Sequence, residues 1–88
     1  MMKDREKFKE GLEVLRIALN LDKKFPECKK IPYIAKQVKR HPATLYQFRR
    51  DMINISEETY DRLIKYFREN ERNRLIYAAA VVRGLIKE

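Results

Sequence analysis

Residues 34–48 read IAKQVKRHPATLYQF, two short runs of apolar residues at helical spacing separated by Lys39, Arg40, His41 and Pro42. Ile34, Ala35 and Val38 fall on one side of a helix predicted over about Pro32 to Lys39. Pro42 then suits the first turn of a second helix, where a missing N–H costs nothing. Leu45 and Phe48, three apart, mark the buried side of that helix, predicted from about Pro42 to Arg50. Two short helices joined by a tight turn make a helix-turn-helix, in which the first braces the second and the second enters the major groove of a duplex. Ala35 is the expected pivot, because a small side chain lets the helices cross closely. Val38, Leu45 and Phe48 would fix their angle, and the Lys-Arg-His turn is expected to stay exposed.

Outward from this pair, apolar periodicity predicts an all-α chain of four to five helices. Phe8, Leu12, Leu15 and Leu19 line one face of a helix from about Asp4 to Leu21, while Val14, Ile17 and Leu21 lie nearly opposite, so that helix needs two apolar neighbours. Pro26 closes the N-terminal region, which spans residues 1–25. After the 32–50 helix pair comes a loop, Asp51 to Ile55. Ser56 is a capping residue there, and Glu57 and Glu58 suit the positive end of a helix dipole. Tyr60, Leu63, Ile64 and Phe67 form the apolar stripe of that supporting helix, 56–69. A last helix, 72–87, carries a wider arc of Leu75, Ala78, Ala79, Val82, Leu85 and Ile86, expected to serve both as core and as the seam of a dimer.

Charge points to the same middle segment. The chain has 88 residues, the size of a single domain, and a formal net charge of +8. Residues 23–51 hold nine cations and two anions, whereas residues 1–22 are balanced and residues 52–88 carry a net +1. A concentrated cationic block suits a polyanionic partner, nucleic acid first and an acidic protein or membrane surface second. The longest apolar run, Leu75 to Val82, is far short of the ~20 residues of a spanning helix, so no membrane anchor is expected. The start MMKDREKFKEG lacks an apolar signal core, and the one cysteine, Cys28, has no partner for a disulfide, so a cytoplasmic location is expected.

The chain resembles the helix-turn-helix domains of the lambda-repressor-like superfamily, particularly the LacI-type repressor headpiece. The resemblance covers Ile34 to about Phe67: IleAla at 34 and 35, Val38, ThrLeu at 44 and 45, Phe48, IleSer at 55 and 56, then Thr59 and the following apolar stripe. Lys39 stands where that family usually has the turn glycine, Arg40 where it has an apolar residue, and His41 where it has a Ser or Thr cap. A left-handed backbone at Lys39 would cost about 1 kcal/mol, unless a different turn avoids it.

The resemblance implies sequence-specific binding of double-stranded DNA by a small transcription regulator of repressor type, with base edges met by His41, Pro42, Ala43, Tyr46, Gln47 and Arg50. Their position agrees, because Tyr46, Gln47 and Arg50 lie away from Leu45 and Phe48. Gln47 is suited to adenine, Arg50 to guanine or phosphate, and Ala43 to a thymine methyl. Lys36, Lys39, Arg40 and Arg49 are expected to meet phosphates. Plainer roles exist for several of these: His41 as an exposed loop residue, Tyr46 as a cover over the neighbouring loop, each lysine as a solvated charge.

A homodimer through the first and last helices would set two reading helices on a palindromic site. The alternatives are a helical protein–protein interaction or scaffold module, and an RNA-binding helical protein. One histidine, one cysteine and two separated glycines provide no catalytic constellation, phosphate loop or zinc pattern, so neither an enzyme nor a cofactor, metal or small-molecule ligand is expected.

Overall fold

The computed structural model describes residues 5–87. They form α1 (Arg5–Asn20), a 3-10 turn at Leu21–Lys23, α2 (Ile31–Val38), α3 (Pro42–Arg49), α4 (Glu57–Asn70) and α5 (Arg72–Val82), with no strand among the described residues. The all-α architecture read from the periodicity is the one observed; the expected helix start at Asp4 lies outside the described residues.

α1 buries both of its apolar faces. Leu12, Leu15 and Leu19 are enclosed on one side, and Val14, Ala18 and the following Leu21 on the other. α5 packs along it most extensively, and α3 and α4 also touch it. The arc of the last helix, expected to serve both as core and as a dimer seam, therefore contributes to the core through its contact with α1. Ile76 on α5 and Leu85 beyond it remain outside, 55% and 76% exposed.

The same core takes in Ile31, Ile34, Ala35 and Val38 of α2, Leu45 and Phe48 of α3, and Leu63 and Phe67 of α4. Each Leu, Ile or Phe so enclosed contributes roughly 1.5–3 kcal/mol of hydrophobic stabilisation. Gly11 on α1 lies where the ring of Tyr60 crosses the helix, and an added Cβ would fall within 2.9 Å of two ring carbons. That ring meets Phe8 edge-on with centroids 5.0 Å apart.

Three of the helices end in one way. Lys39 (φ 57°) after α2, Asp51 (φ 63°) after α3 and Gly84 (φ 77°) after α5 adopt the left-handed conformation. In each case the next residue's N–H reaches back five positions: Arg40 to Ala35 O at 2.9 Å, Met52 to Gln47 O at 2.9 Å and Leu85 to Ala80 O at 2.9 Å. This closure satisfies carbonyls that a helix end would otherwise leave bare. Gly84 stops α5 at Val82, not near Lys87, because a left-handed residue turns the chain off the helix axis. Leu85 and Ile86 thus leave the helical arc assigned to them. At Lys39 the chain takes up the left-handed turn without the glycine. Lys39→Gly is expected to raise the unfolding free energy by about 1 kcal/mol through relief of that backbone strain, measured by urea denaturation.

Candidate nucleic-acid interface

α2 and α3, eight residues each, are joined by the three residues Lys39–His41. Ala35, Leu45 and Phe48 have no exposed surface and Val38 is 3% exposed, so the apolar contacts expected to fix this pair are made. The turn is less open than expected. Arg40 folds back onto α4, its Nε donating to Thr59 Oγ1 at 2.8 Å and its guanidinium lying 3.4 Å from Glu58. His41 takes the capping role of a Ser or Thr, its Nδ1 accepting from the Ala43 N–H at 3.1 Å.

The C-terminal end of α3 is held by side chains of α1. Arg16 Nε donates to Phe48 O at 3.0 Å, and Asn20 Nδ2 donates to Arg49 O at 3.2 Å. The Arg16 guanidinium also lies over the Phe48 ring, 4.7 Å from its centroid. Arg49 reaches back the other way, donating to Leu19 O at 3.0 Å and to Asp22 Oδ1 at 3.1 Å. Both side chains of this ion pair are nearly enclosed, at 9% and 7% exposure. Tyr46 packs its ring 5.0 Å from the Arg49 guanidinium and is itself half-buried.

This corrects the expectation for Arg49. As the neighbour of Phe48 it points along the inner side of α3, where the carboxylate of Asp22 takes its charge, so it is not available to a phosphate. Arg40 is only partly available for a similar reason. Tyr46 is divided between covering the pair and facing outward.

The remaining expected residues are presented together. His41, Ala43, Gln47 and Arg50 are exposed, with Pro42 partly so, along the outer side of α3. Lys36 and Lys39 are exposed beside it. Elsewhere in the cationic block, Lys30 Nζ donates to Asp22 O at 3.2 Å, Lys29 lies over the Tyr33 ring and Lys24 donates to the Tyr77 hydroxyl at 3.1 Å. Much of the block thus has internal partners, and the outward charge next to α3 comes from Lys36, Lys39 and Arg50.

Arg16, Asn20 and Asp22 were not singled out from the sequence. The signal available was that Arg16 and Asn20, four apart, lie on one side of α1 beside the stripe of Leu12, Leu15 and Leu19. Arg74 was also missed. It is 5% exposed and ties α5 to α1 through Ala18 O at 2.6 Å and to the segment before α2 through Lys29 O at 2.8 Å. Its ion-pair partner Glu71 accepts from the Tyr66 hydroxyl at 2.6 Å. Burial, reinforced by that carboxylate, pushes the Tyr66 hydroxyl far above its ordinary range, so it stays a donor. Burial also pushes the Cys28 thiol up, away from the reactive thiolate.

A cleft of about 510 Å³ lies at the start of α5, between Phe25, Cys28, Arg72 and Tyr77, away from the α3 face. Among the described residues no three His, Cys, Asp or Glu side chains gather as a metal set, and no helix is long and apolar enough to cross a membrane.

Two adjacent arginines should therefore separate cleanly. Arg49→Ala is expected to cost roughly 3–5 kcal/mol of stability, because it leaves Asp22 buried and unpaired, whereas Arg50→Ala should stay within about 0.5 kcal/mol of the parent; equilibrium denaturation of the two variants reads the difference. Comparison of the chain with protein-family models, curated proteins and solved structures returned no match.

Proposed function

We propose that the chain binds double-stranded DNA in a sequence-dependent manner, with α3 in the major groove, as a small transcription regulator of the lambda-repressor-like helix-turn-helix kind. The observation that carries this reading is the two-sidedness of α3. Its inner residues Leu45 and Phe48 are fully enclosed and its C-terminal carbonyls are held by α1, while Ala43, Gln47 and Arg50 project outward unencumbered. An eight-residue helix is ~12 Å long, and the major groove is about 12 Å wide. Gln47 is the assigned reader of adenine and Arg50 of guanine, with Ala43 against a thymine methyl. His41 and Pro42 lie at the end of α3 that enters first, and Lys36 and Lys39 meet phosphates. Action as a homodimer on a two-fold symmetric site belongs to the same proposal. On and just beyond α5, Ile76 and Leu85 are exposed apolar side chains that could meet a partner copy, beside the core that α1 and α5 share.

Selection from random duplexes, followed by titration at several salt concentrations, tests the reading. A consensus sequence is expected, with affinity falling as log salt rises by a slope of about −0.9 per phosphate neutralised. Gln47→Ala should relax preference at one position by about 1–3 kcal/mol, whereas Lys36→Ala should weaken all duplexes alike and reduce the slope by about 1. Identical behaviour of the two variants would remove the assigned division between reading and positioning. Equal binding to random duplex, single-stranded RNA and an acidic protein would remove the proposal.

A further inference from the structure

Two arginines beside the turn between α2 and α3 converge on one anion. Arg40, in the turn, points Nη2 at Glu58 Oε1 from 3.4 Å, and Arg62, on α4, points Nη2 at Glu58 Oε2 from 2.8 Å. The rest of each guanidinium is bound elsewhere. Arg40 Nε donates to Thr59 Oγ1 at 2.8 Å and its Nη1 to Lys39 O at 3.0 Å, while Arg62 Nη1 donates to Val38 O at 3.1 Å. Thr59 is itself 3% exposed, and its hydroxyl lies 3.0 Å from that of Ser56. Neither guanidinium therefore depends on Glu58 for its place, and both Nη2 groups stay aimed at the same spot when the anion there changes.

Glu58 is the loosely held member of the three. Its side chain is 64% exposed, against 27% for Arg40 and 38% for Arg62, and its carboxylate has no other partner among the described residues. Exposed ion pairs of this kind stabilise a fold little, and α4 is capped without it, by Ser56 through the Thr59 N–H. A carboxylate that the fold hardly needs thus sits where two forks of donors meet. A phosphate group offers more acceptor oxygens to those forks, and guanidinium planes match it bidentately.

We propose that Arg40 and Arg62 form a clamp for one phosphate of the duplex backbone, a clamp that Glu58 fills in the unbound protein and leaves on binding. This inference rests on the duplex-DNA reading above. On that reading the strand passes this edge, because α3 starts at Pro42, just after Arg40, and Lys36 and Lys39 are exposed beside the turn. Glu58 then holds affinity down without touching base preference, since it competes with every duplex alike for the same two cations.

The experiment titrates the full chain with its selected duplex over a range of salt concentrations. Glu58→Gln should raise affinity about tenfold at about 50 mM salt and about threefold at about 200 mM, steepening the slope by about 0.9, the share of one phosphate. Preference at the Gln47 position should not change, and the midpoint of urea denaturation should match the parent. Adding Arg40→Gln to Glu58→Gln should cancel the gain. Glu57→Gln, which alters the net charge equally one residue away, should leave the slope at the parent's value. A Glu58→Gln chain that binds its duplex no better than the parent overturns the clamp alone, as does a gain that survives Arg40→Gln or is matched by Glu57→Gln. Inorganic phosphate that shifts the Nε resonances of Arg40 and Arg62 in Glu58→Gln, with no gain for the duplex, overturns the backbone as the source of the phosphate. A parent that prefers no duplex overturns the DNA reading itself.

Discussion

The placement of α3 depends on a polar clamp from α1. An eight-residue helix has little stability of its own in water, and α3 buries only Leu45 and Phe48 completely, because its other side stays polar. Arg16 and Asn20 take the carbonyls of Phe48 and Arg49, and the Arg49–Asp22 pair closes the same end from the opposite direction. A buried ion pair adds little net stability over apolar residues of equal volume, but breaking it strands a charge. Its effect here is on geometry: any rotation of α3 that turned Gln47 inward would pull Arg49 away from Asp22. The clamp thus fixes which side of α3 faces out.

Fold class and the helix pair were legible because they rest on spacing. Ile34, Ala35, Val38, Leu45 and Phe48 are all enclosed, as their periods indicate, and Ser56 caps α4 through the Thr59 N–H at 3.1 Å. What could not be read was the destination of long polar side chains. Arg49 and Arg50 are adjacent and chemically identical, yet one lies against a carboxylate supplied by a residue 27 positions earlier and the other lies in water. Helical phase alone leaves an arginine next to Phe48 free to point either way. The partner that decides it comes from the 3-10 turn after α1, which carries no strong local signal. The end of α5 was misplaced for a different reason: apolar residues continue past Gly84, and backbone conformation, not hydropathy, stops the helix.

This sorting of cations bears on what the net charge means. A middle segment with nine positive side chains looks like a single binding surface, but Arg40, Arg49 and Lys30 are engaged with acceptors of the protein itself. Those left beside α3, Lys36, Lys39 and Arg50, contribute almost nothing to the fold, since exposed charges without a partner stabilise little. Within one short segment, the cations that serve the fold and those that face outward are different residues. Lys39 is the exception: its left-handed backbone strains the turn that a glycine would relax, while its ammonium group adds charge where the turn meets solvent.

On the proposed reading, that division also sets a limit on discrimination. A bidentate contact separates right from wrong base by about 1–3 kcal/mol, so Gln47 and Arg50 together supply at most about 6 kcal/mol. Site-specific DNA-binding proteins exceed their own non-specific binding by roughly 4–10 kcal/mol, so one copy sits in the lower half of that range. A second copy, as in the proposed homodimer, would double the direct contacts, with Ile76 and Leu85 exposed beside the core that α1 and α5 share. The same Arg16 that secures Phe48 O also braces Asp51 and Asn54 in the loop after α3. Arg16 thus ties the last turn of α3 to the loop that follows it, and a change there should disturb how Gln47 and Arg50 are presented together.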